Sequence, residues 1–167
     1  SGFPVNTEFG EPFDSKKFLS ELGLVPGLPT VLFVTGLGDT DKYLNLIEYF
    51  SQRNDLKFQM IVVTGKYKWI YDLLNAKKYS VPVKIIGWTA RMADFVRSAD
   101  LLVTKSGGAS VMEAVAAATP LLIPVFSPGQ ERGNTELILK NKIGYVEPSF
   151  DGASKVLEHL IKTPGEL

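Results

Sequence analysis

The sequence predicts an α/β protein with a Rossmann-like, doubly wound parallel sheet of about six strands. Short apolar runs recur along the chain, and they lack the polar alternation of strands that face water on one side. Between these runs, apolar residues return at helical spacing, as in the segment that carries Leu44, Ile47 and Phe50. Strands alternating with helices are typical of a parallel sheet covered on both faces.

The elements follow from these two patterns in order. Residues 1–29 hold four prolines and one amphipathic stretch at 15–22, and we interpret them as a lead-in or linker segment outside the core. Residues 30–167 form the predicted domain. Strands are predicted at 30–35, 58–64, 83–86, 101–104, 121–125 and 144–146, and helices at 41–53, 69–74, 92–96, 109–118, 134–142 and 153–161.

Composition excludes several classes of function. The 167 residues carry 18 basic and 18 acidic side chains, so no net charge favours nucleic acid as a partner. The absence of cysteine and the single histidine exclude disulfides, thiolate nucleophiles and multi-histidine metal sites. No apolar run reaches the roughly 18 to 20 residues of a membrane span, and no secretory signal is visible, which makes a cytoplasmic location the default. The linker-like start at Ser1, without methionine, predicts a piece of a longer protein.

The segment Ser106-Gly107-Gly108 is the first candidate site, because a helical pattern begins directly after a strand there. Glycines let a ligand approach the backbone closely, and the free N–H groups of a starting helix favour an anion. These three residues therefore suit a diphosphate at the start of the helix. A tight strand-to-helix turn that needs glycine only for its geometry is an equal alternative.

Glu113 lies one turn further into the same helix. Its carboxylate can accept hydrogen bonds from the two hydroxyls of a ribose. The alternative is structural, since Ser110 and Glu113 match the Ser-x-x-Glu spacing of a capping box.

A second polar cluster, formed by Gln130, Glu131 and Asn134, follows the next apolar run. Gln130 and Asn134 are four residues apart and would share one helix face, as sugar recognition requires. A polar helix start is the alternative. Groups for phosphate, ribose and further hydroxyls, in this order, predict a nucleotide-sugar site.

Gly36 and Gly38 follow the first strand and offer N–H groups to a phosphate or a sugar. A dinucleotide fingerprint would require a third glycine where Asp41 stands, and an acid where Thr64 and Gly65 end the second strand. An NAD-dependent oxidoreductase is therefore disfavoured.

Two aromatic groupings have a structural interpretation beside a functional one. Trp88, Met92 and Phe95 could line a base pocket, although core packing is favoured for Met92 and Phe95. Residues 66–69, Lys-Tyr-Lys-Trp, form a basic-aromatic cluster that we interpret as a solvated helix start.

Residues 104–114 and 128–134 carry a resemblance to a known family. The chain resembles the carboxyl-terminal, donor-binding domain of GT-B glycosyltransferases. Within these it is similar to the group of monogalactosyldiacylglycerol synthases, processive diacylglycerol glucosyltransferases and the peptidoglycan N-acetylglucosaminyl transferase. The loop at Gly36 departs from the glycine- and serine-rich loop usual in the family.

The resemblance implies a role for each candidate residue. Gly107, Gly108, Ala109 and Ser110 would lie against the diphosphate of a UDP-sugar, and Glu113 would bind the ribose. The backbone beside Arg91 and Met92 would bind the uracil. Gln130, Glu131 and Asn134 would bind the sugar. Gly36 and Gly38 would face the interdomain cleft near the phosphates.

The resemblance also implies an activity for the whole protein. A hexose would pass from UDP-sugar to a lipid hydroxyl such as that of diacylglycerol, without a cofactor and without a metal bound by the protein. The catalytic base, the lipid acceptor site and contact with the membrane surface would belong to an amino-terminal domain missing here, so this chain alone would be inactive. Two alternatives remain: a partner-dependent UDP-sugar-binding subunit, and a UDP-sugar 2-epimerase.

Overall fold

The computed structural model describes residues 7–35, 40–125 and 132–163. Within them six parallel strands form one sheet in the order β3-β2-β1-β4-β5-β6. The strands are β1 (Thr30–Val34), β2 (Gln59–Val63), β3 (Val83–Ile86), β4 (Leu101–Val103), β5 (Leu121–Ile123) and β6 (Gly144–Val146). The helices are α1 (Ser15–Glu21), α2 (Thr40–Ser51), α3 (Lys68–Asn75), α4 (Met92–Ser98), α5 (Gly108–Ala117), α6 (Arg132–Lys140) and α7 (Phe150–Lys162).

The predicted fold class is confirmed, and the boundaries of the elements shift by a few residues. The last helix begins earlier than predicted because the Ser149 hydroxyl accepts a hydrogen bond from the Gly152 N–H at 3.1 Å. The sixth helix ends before Lys142, which has a left-handed φ of 54° that a helix cannot continue.

The sheet is buried on both faces, as the lack of polar alternation predicts. Along β1, Val31 and Phe33 pack into a core beneath α2, α3 and α7. Leu32 points the other way, into a core beneath α1, α4, α5 and α6. Side chains alternate between faces along a strand, so a strand covered on both sides must be apolar at every position.

The prediction that residues 1–29 stay outside the core is wrong for α1. Its first turn is capped by Asp14, whose carboxylate accepts a hydrogen bond from the Lys17 N–H at 3.0 Å. Phe18 is buried, and its ring meets that of Phe95 edge-on with centroids 5.0 Å apart. The prolines of this segment lie outside α1 and do not interrupt it.

None of the helices in the described ranges is both long enough and apolar enough to cross a bilayer.

Candidate functional site

The carboxyl ends of β1 and β4 lie side by side in the centre of the sheet. The two strands pair in parallel, with Val31 opposite Leu101 and Phe33 opposite Val103. The connections run outward in opposite directions from this pair, toward β2 and β3 on one side and toward β5 and β6 on the other. Ligands of open α/β sheets bind at such a switch point, outside the carboxyl ends of the strands.

Helix α5 starts at this switch point, directly after β4. Its N-cap is Gly107, with an extended backbone (φ −65°, ψ 137°) and no side-chain cap. Within the described residues, the N–H groups of Gly108, Ala109 and Ser110 donate no hydrogen bond. The helix therefore presents a set of unpaired donors and the positive end of its dipole at the edge where a ligand is expected.

The capping-box interpretation of Ser110 and Glu113 is wrong. Helix α5 begins at Gly108, so Ser110 is its third residue and occupies no capping position. Glu113 lies a further turn into the helix, too deep to return to the helix start as a capping box requires.

Glu113 is half-buried, and its carboxylate forms no hydrogen bond or ion pair with any residue in the described ranges. Burial raises the pKa of this carboxyl above its usual range, because the charged form loses water that no protein donor replaces. The carboxylate is thus an acceptor without a partner among the described residues, and it lies one turn away from the unpaired N–H groups.

Asn134, one of the predicted sugar ligands, lies beside this helix start. Its Nδ2 donates a hydrogen bond to the carbonyl oxygen of Ser106 at 2.7 Å, so α6 supports the loop that leads into α5. Its Oδ1 forms no hydrogen bond with the rest of the described chain. Gln130 and Glu131 lie outside the described residues, and so do Gly36 and Gly38, so their predicted roles stay predictions.

Lys105 lies beside the candidate site, although the sequence predicts no role for it. Its alkyl stem lies over Gly107, since a Cβ built on that glycine would stand 3.5 Å from Lys105 Cε. A lysine immediately before a Ser-Gly-Gly turn is the signal that could have identified it.

The predicted uracil contact falls at the start of α4. The Arg91 N–H already donates a hydrogen bond to the Thr89 hydroxyl at 3.0 Å. The Arg91 guanidinium pairs with Asp94 at 2.7 Å and lies 4.9 Å above the ring of Phe18, so this side chain is occupied by internal contacts.

The aromatic residues near this contact divide between core and surface. Phe95 is buried and Met92 packs against the same core, which confirms the packing role of both. Trp88 is exposed rather than enclosed in a base pocket.

These observations define a Rossmann-like α/β domain whose candidate site lies at the head of α5. Residues 30–142 match the family model described as "Glycosyltransferase family 28 C-terminal domain", and the chain belongs to this family. This assignment and the relatives below do not favour the epimerase alternative.

Two relatives whose names refer to glycolipid synthesis support the family assignment. The chain is 29% identical over 150 residues to "Probable monogalactosyldiacylglycerol synthase 2, chloroplastic" of Oryza sativa subsp. japonica, covering 86% of this chain and 32% of that protein. It is 26% identical over 168 residues to "Processive diacylglycerol beta-glucosyltransferase" of Staphylococcus carnosus (strain TM300), covering 100% of this chain and 43% of that protein. The chain thus spans less than half the length of these relatives.

The fold is also that of a solved glycosyltransferase from Rickettsia africae ESF-5. The TM-score is 0.74 at 13% identity, over 96% of this chain and 46% of the other. At this identity the likeness concerns the fold alone.

Proposed function

We propose that this chain is the donor-binding half of a glycosyltransferase and that its ligand is a UDP-sugar. One observation carries the proposal: unpaired N–H groups at the head of α5 stand at the switch point of the sheet, and an unpartnered carboxylate follows one turn later. A diphosphate fits the donors, and two vicinal ribose hydroxyls fit the acceptor.

The chemical role of this arrangement is to stabilise the leaving group. When the bond between sugar and diphosphate breaks, negative charge grows on the departing UDP. The α5 N–H groups and dipole are fixed before the reaction and stabilise that charge without reorganising. The Lys105 ammonium adds a full positive charge beside Gly107. The protein can therefore supply the positive charge itself, and we propose that it binds no metal and needs no cofactor.

The other ligand contacts are assigned by their place around α5. Glu113 would accept from the ribose hydroxyls, and the Oδ1 of Asn134 would face the sugar together with Gln130 and Glu131. The backbone beside Arg91 and Met92 would meet the uracil. Of these two residues Met92 is the better donor, because the Arg91 N–H already donates to the Thr89 hydroxyl. Gly36 and Gly38 would contact the phosphates from the loop that follows β1.

The names of the relatives suggest the reaction of the whole protein: transfer of a hexose to a lipid acceptor such as diacylglycerol. We propose that the acceptor site and the catalytic base belong to a further domain. The chain by itself should then bind donor without transferring sugar. We place the complete protein in the cytoplasm, peripheral at the membrane.

Calorimetric titration tests the proposal. UDP, UDP-glucose, UDP-galactose and UDP-N-acetylglucosamine should each bind, whereas NAD should not. Uridine, which lacks the diphosphate, should bind more weakly than UDP. Absence of UDP binding, or equal affinity for UDP and NAD, would contradict a UDP-sugar site.

A further inference from the structure

We propose that the face formed by the start of α3 and the loop after β3 binds an anionic membrane surface. The donor half would then contact the bilayer directly, in addition to any contact made by the rest of the protein. The face comprises Lys66, Lys68, Trp69, Tyr71 and Trp88 and is called the α3 face below. The inference rests on the exposure and charge of this face, and only its link to a lipid substrate rests on the proposed function.

The two tryptophans of the chain both belong to this face, and both are exposed. Trp69 has 56% of its surface exposed and Trp88 has 66%, in a protein whose other large apolar side chains mostly fill the core. Indole rings are amphipathic and concentrate at the boundary between lipid and water. The two exposed indoles follow the neighbouring strands β2 and β3, and packing within the described residues does not explain them.

The charge around these indoles is positive, although the chain as a whole is neutral. Lys66 and Lys68 line the same groove as Trp88, and Asp72 is the acidic residue next to them in α3. Within the described ranges Lys66 forms no ion pair, whereas Lys68 pairs with Asp72 and Lys77 pairs with Glu48. A local surplus of lysine beside exposed tryptophan complements the negative potential of an anionic lipid surface.

Four of the five side chains of the face are neighbours. Lys66, Lys68, Tyr71 and Trp88 line one open groove together with Gly65 and Gly87, and Trp69 follows Lys68 in α3. In α3, Ile70 and Leu74 point into the core, which leaves Trp69 and Leu73 exposed on the outer side of the helix. Ile70 and Leu74 thus anchor α3 in the core, and Trp69 and Leu73 are not needed for this packing.

The position of the face suits a lipid substrate. Gly65 and Gly87 follow the carboxyl ends of β2 and β3, and parallel strands share one carboxyl edge. The start of α5 lies at this same edge of the sheet. A bilayer touching the α3 face would therefore lie near the edge of the sheet at which we propose that the donor binds.

Vesicle binding tests the inference, and the two indoles are a built-in reporter because the chain has no other tryptophan. The protein should sediment with vesicles containing phosphatidylglycerol and remain unbound with pure phosphatidylcholine. Its tryptophan emission should shift to the blue on binding and be quenched by brominated acyl chains. The single-tryptophan variants Trp69→Phe and Trp88→Phe should each show the shift.

Matched variants localise the contact. Lys66→Gln should weaken partitioning about fivefold, the loss expected for one lysine at an anionic surface. Trp69→Ser should weaken it further and remove the shift from Trp69. Lys140→Gln is the control, since that exposed lysine lies in α6 on the opposite face of the sheet and should change nothing.

Three results would overturn the inference: failure of the protein to sediment with anionic vesicles, sedimentation without any change in tryptophan emission, and equal vesicle binding by Lys66→Gln and wild type. Binding to duplex DNA in place of vesicles would identify a nucleic-acid surface instead. Titration of UDP into the same samples separates this outcome from failure of the donor site, because Lys66 and Trp69 are not among the residues that we propose bind UDP.

Discussion

At the scale of one residue, Glu113 shows how a group of the candidate site lowers the free energy of unfolding. Burial raises the pKa of its carboxyl in the folded chain above the unfolded value, so the ionised form is disfavoured by folding. Above the raised pKa the carboxylate therefore lowers the free energy of unfolding, and this cost declines as the pH falls through that pKa. A bound ribose would replace the lost hydrogen bonds.

We predict that Glu113→Gln stabilises the unliganded chain at pH 7 and weakens UDP binding roughly tenfold, a loss typical of an unpaired buried polar partner. Urea unfolding and calorimetry measure the two effects, and the gain in stability should shrink as the pH is lowered. Glu21→Gln, at an exposed position of α1, is the control. Unchanged UDP affinity in Glu113→Gln would remove the ribose role.

Lys105 allows the charge at the diphosphate to be tested apart from its packing. Lys105→Met keeps an unbranched stem over Gly107 and removes the ammonium. We expect UDP affinity to fall about tenfold, the scale of a hydrogen bond to a charged group, with little change for uridine. Lys105→Arg should retain most of the affinity. An equal loss for UDP and uridine would show that the stem, and not the charge, matters.

At the scale of elements, the site depends on how α6 supports the start of α5. The Asn134 amide donates to the Ser106 carbonyl oxygen at 2.7 Å across 28 residues of chain. Asn134→Ala would leave that carbonyl without this donor, at a cost of about 1 to 3 kcal/mol. We therefore expect a lower free energy of unfolding in urea and weaker binding of UDP, with a larger loss for UDP-sugar because its proposed contact with Oδ1 is also removed.

Asn141→Ala provides the matched comparison for this effect. Its amide donates to the Leu137 carbonyl oxygen at 2.8 Å, but at an exposed position near the end of the same helix. Water can replace that donor, so the variant should be close to wild type in both measurements. A loss of UDP-sugar affinity alone in Asn134→Ala would show that the side chain serves the sugar and not the loop.

The elements also show what the sequence could and could not predict. A strand that is buried on both faces must consist of consecutive apolar residues. The sequence therefore predicts β1 and β4 correctly, and with them the position of α5. The capping box failed because Ser110 and Glu113 satisfy its spacing wherever the helix starts, and the start is set by Gly107. The packing of Phe18 against Phe95 joins residues far apart in sequence, which no local pattern contains.

At the scale of the whole molecule, one ion-pair network joins the two halves of the chain. Arg53, just after α2, donates from Nη1 to Glu158 in α7 at 3.0 Å, across 105 residues, and from Nε to Asp55 at 2.7 Å. Hydrogen bonds from Arg53 and then Lys162 lower the pKa of Glu158 to about 2, from an ordinary value of 4.5. Because the folded pKa is depressed, this network stabilises the fold above pH 4.5 and its contribution is lost as the pH falls toward 2.

We predict that Arg53→Met reduces the loss of stability on acidification, because the carboxylates it pairs with then titrate closer to their unfolded values. Urea unfolding at several pH values between 7 and 2 measures this, and wild type and variant should converge at the acid end. Lys68→Met is the control, since its ion pair with Asp72 lies within one turn of an exposed helix and ties no distant parts together. Parallel acid profiles for Arg53→Met and wild type would show that α7 is held by its apolar face alone, through Leu157 and Leu160.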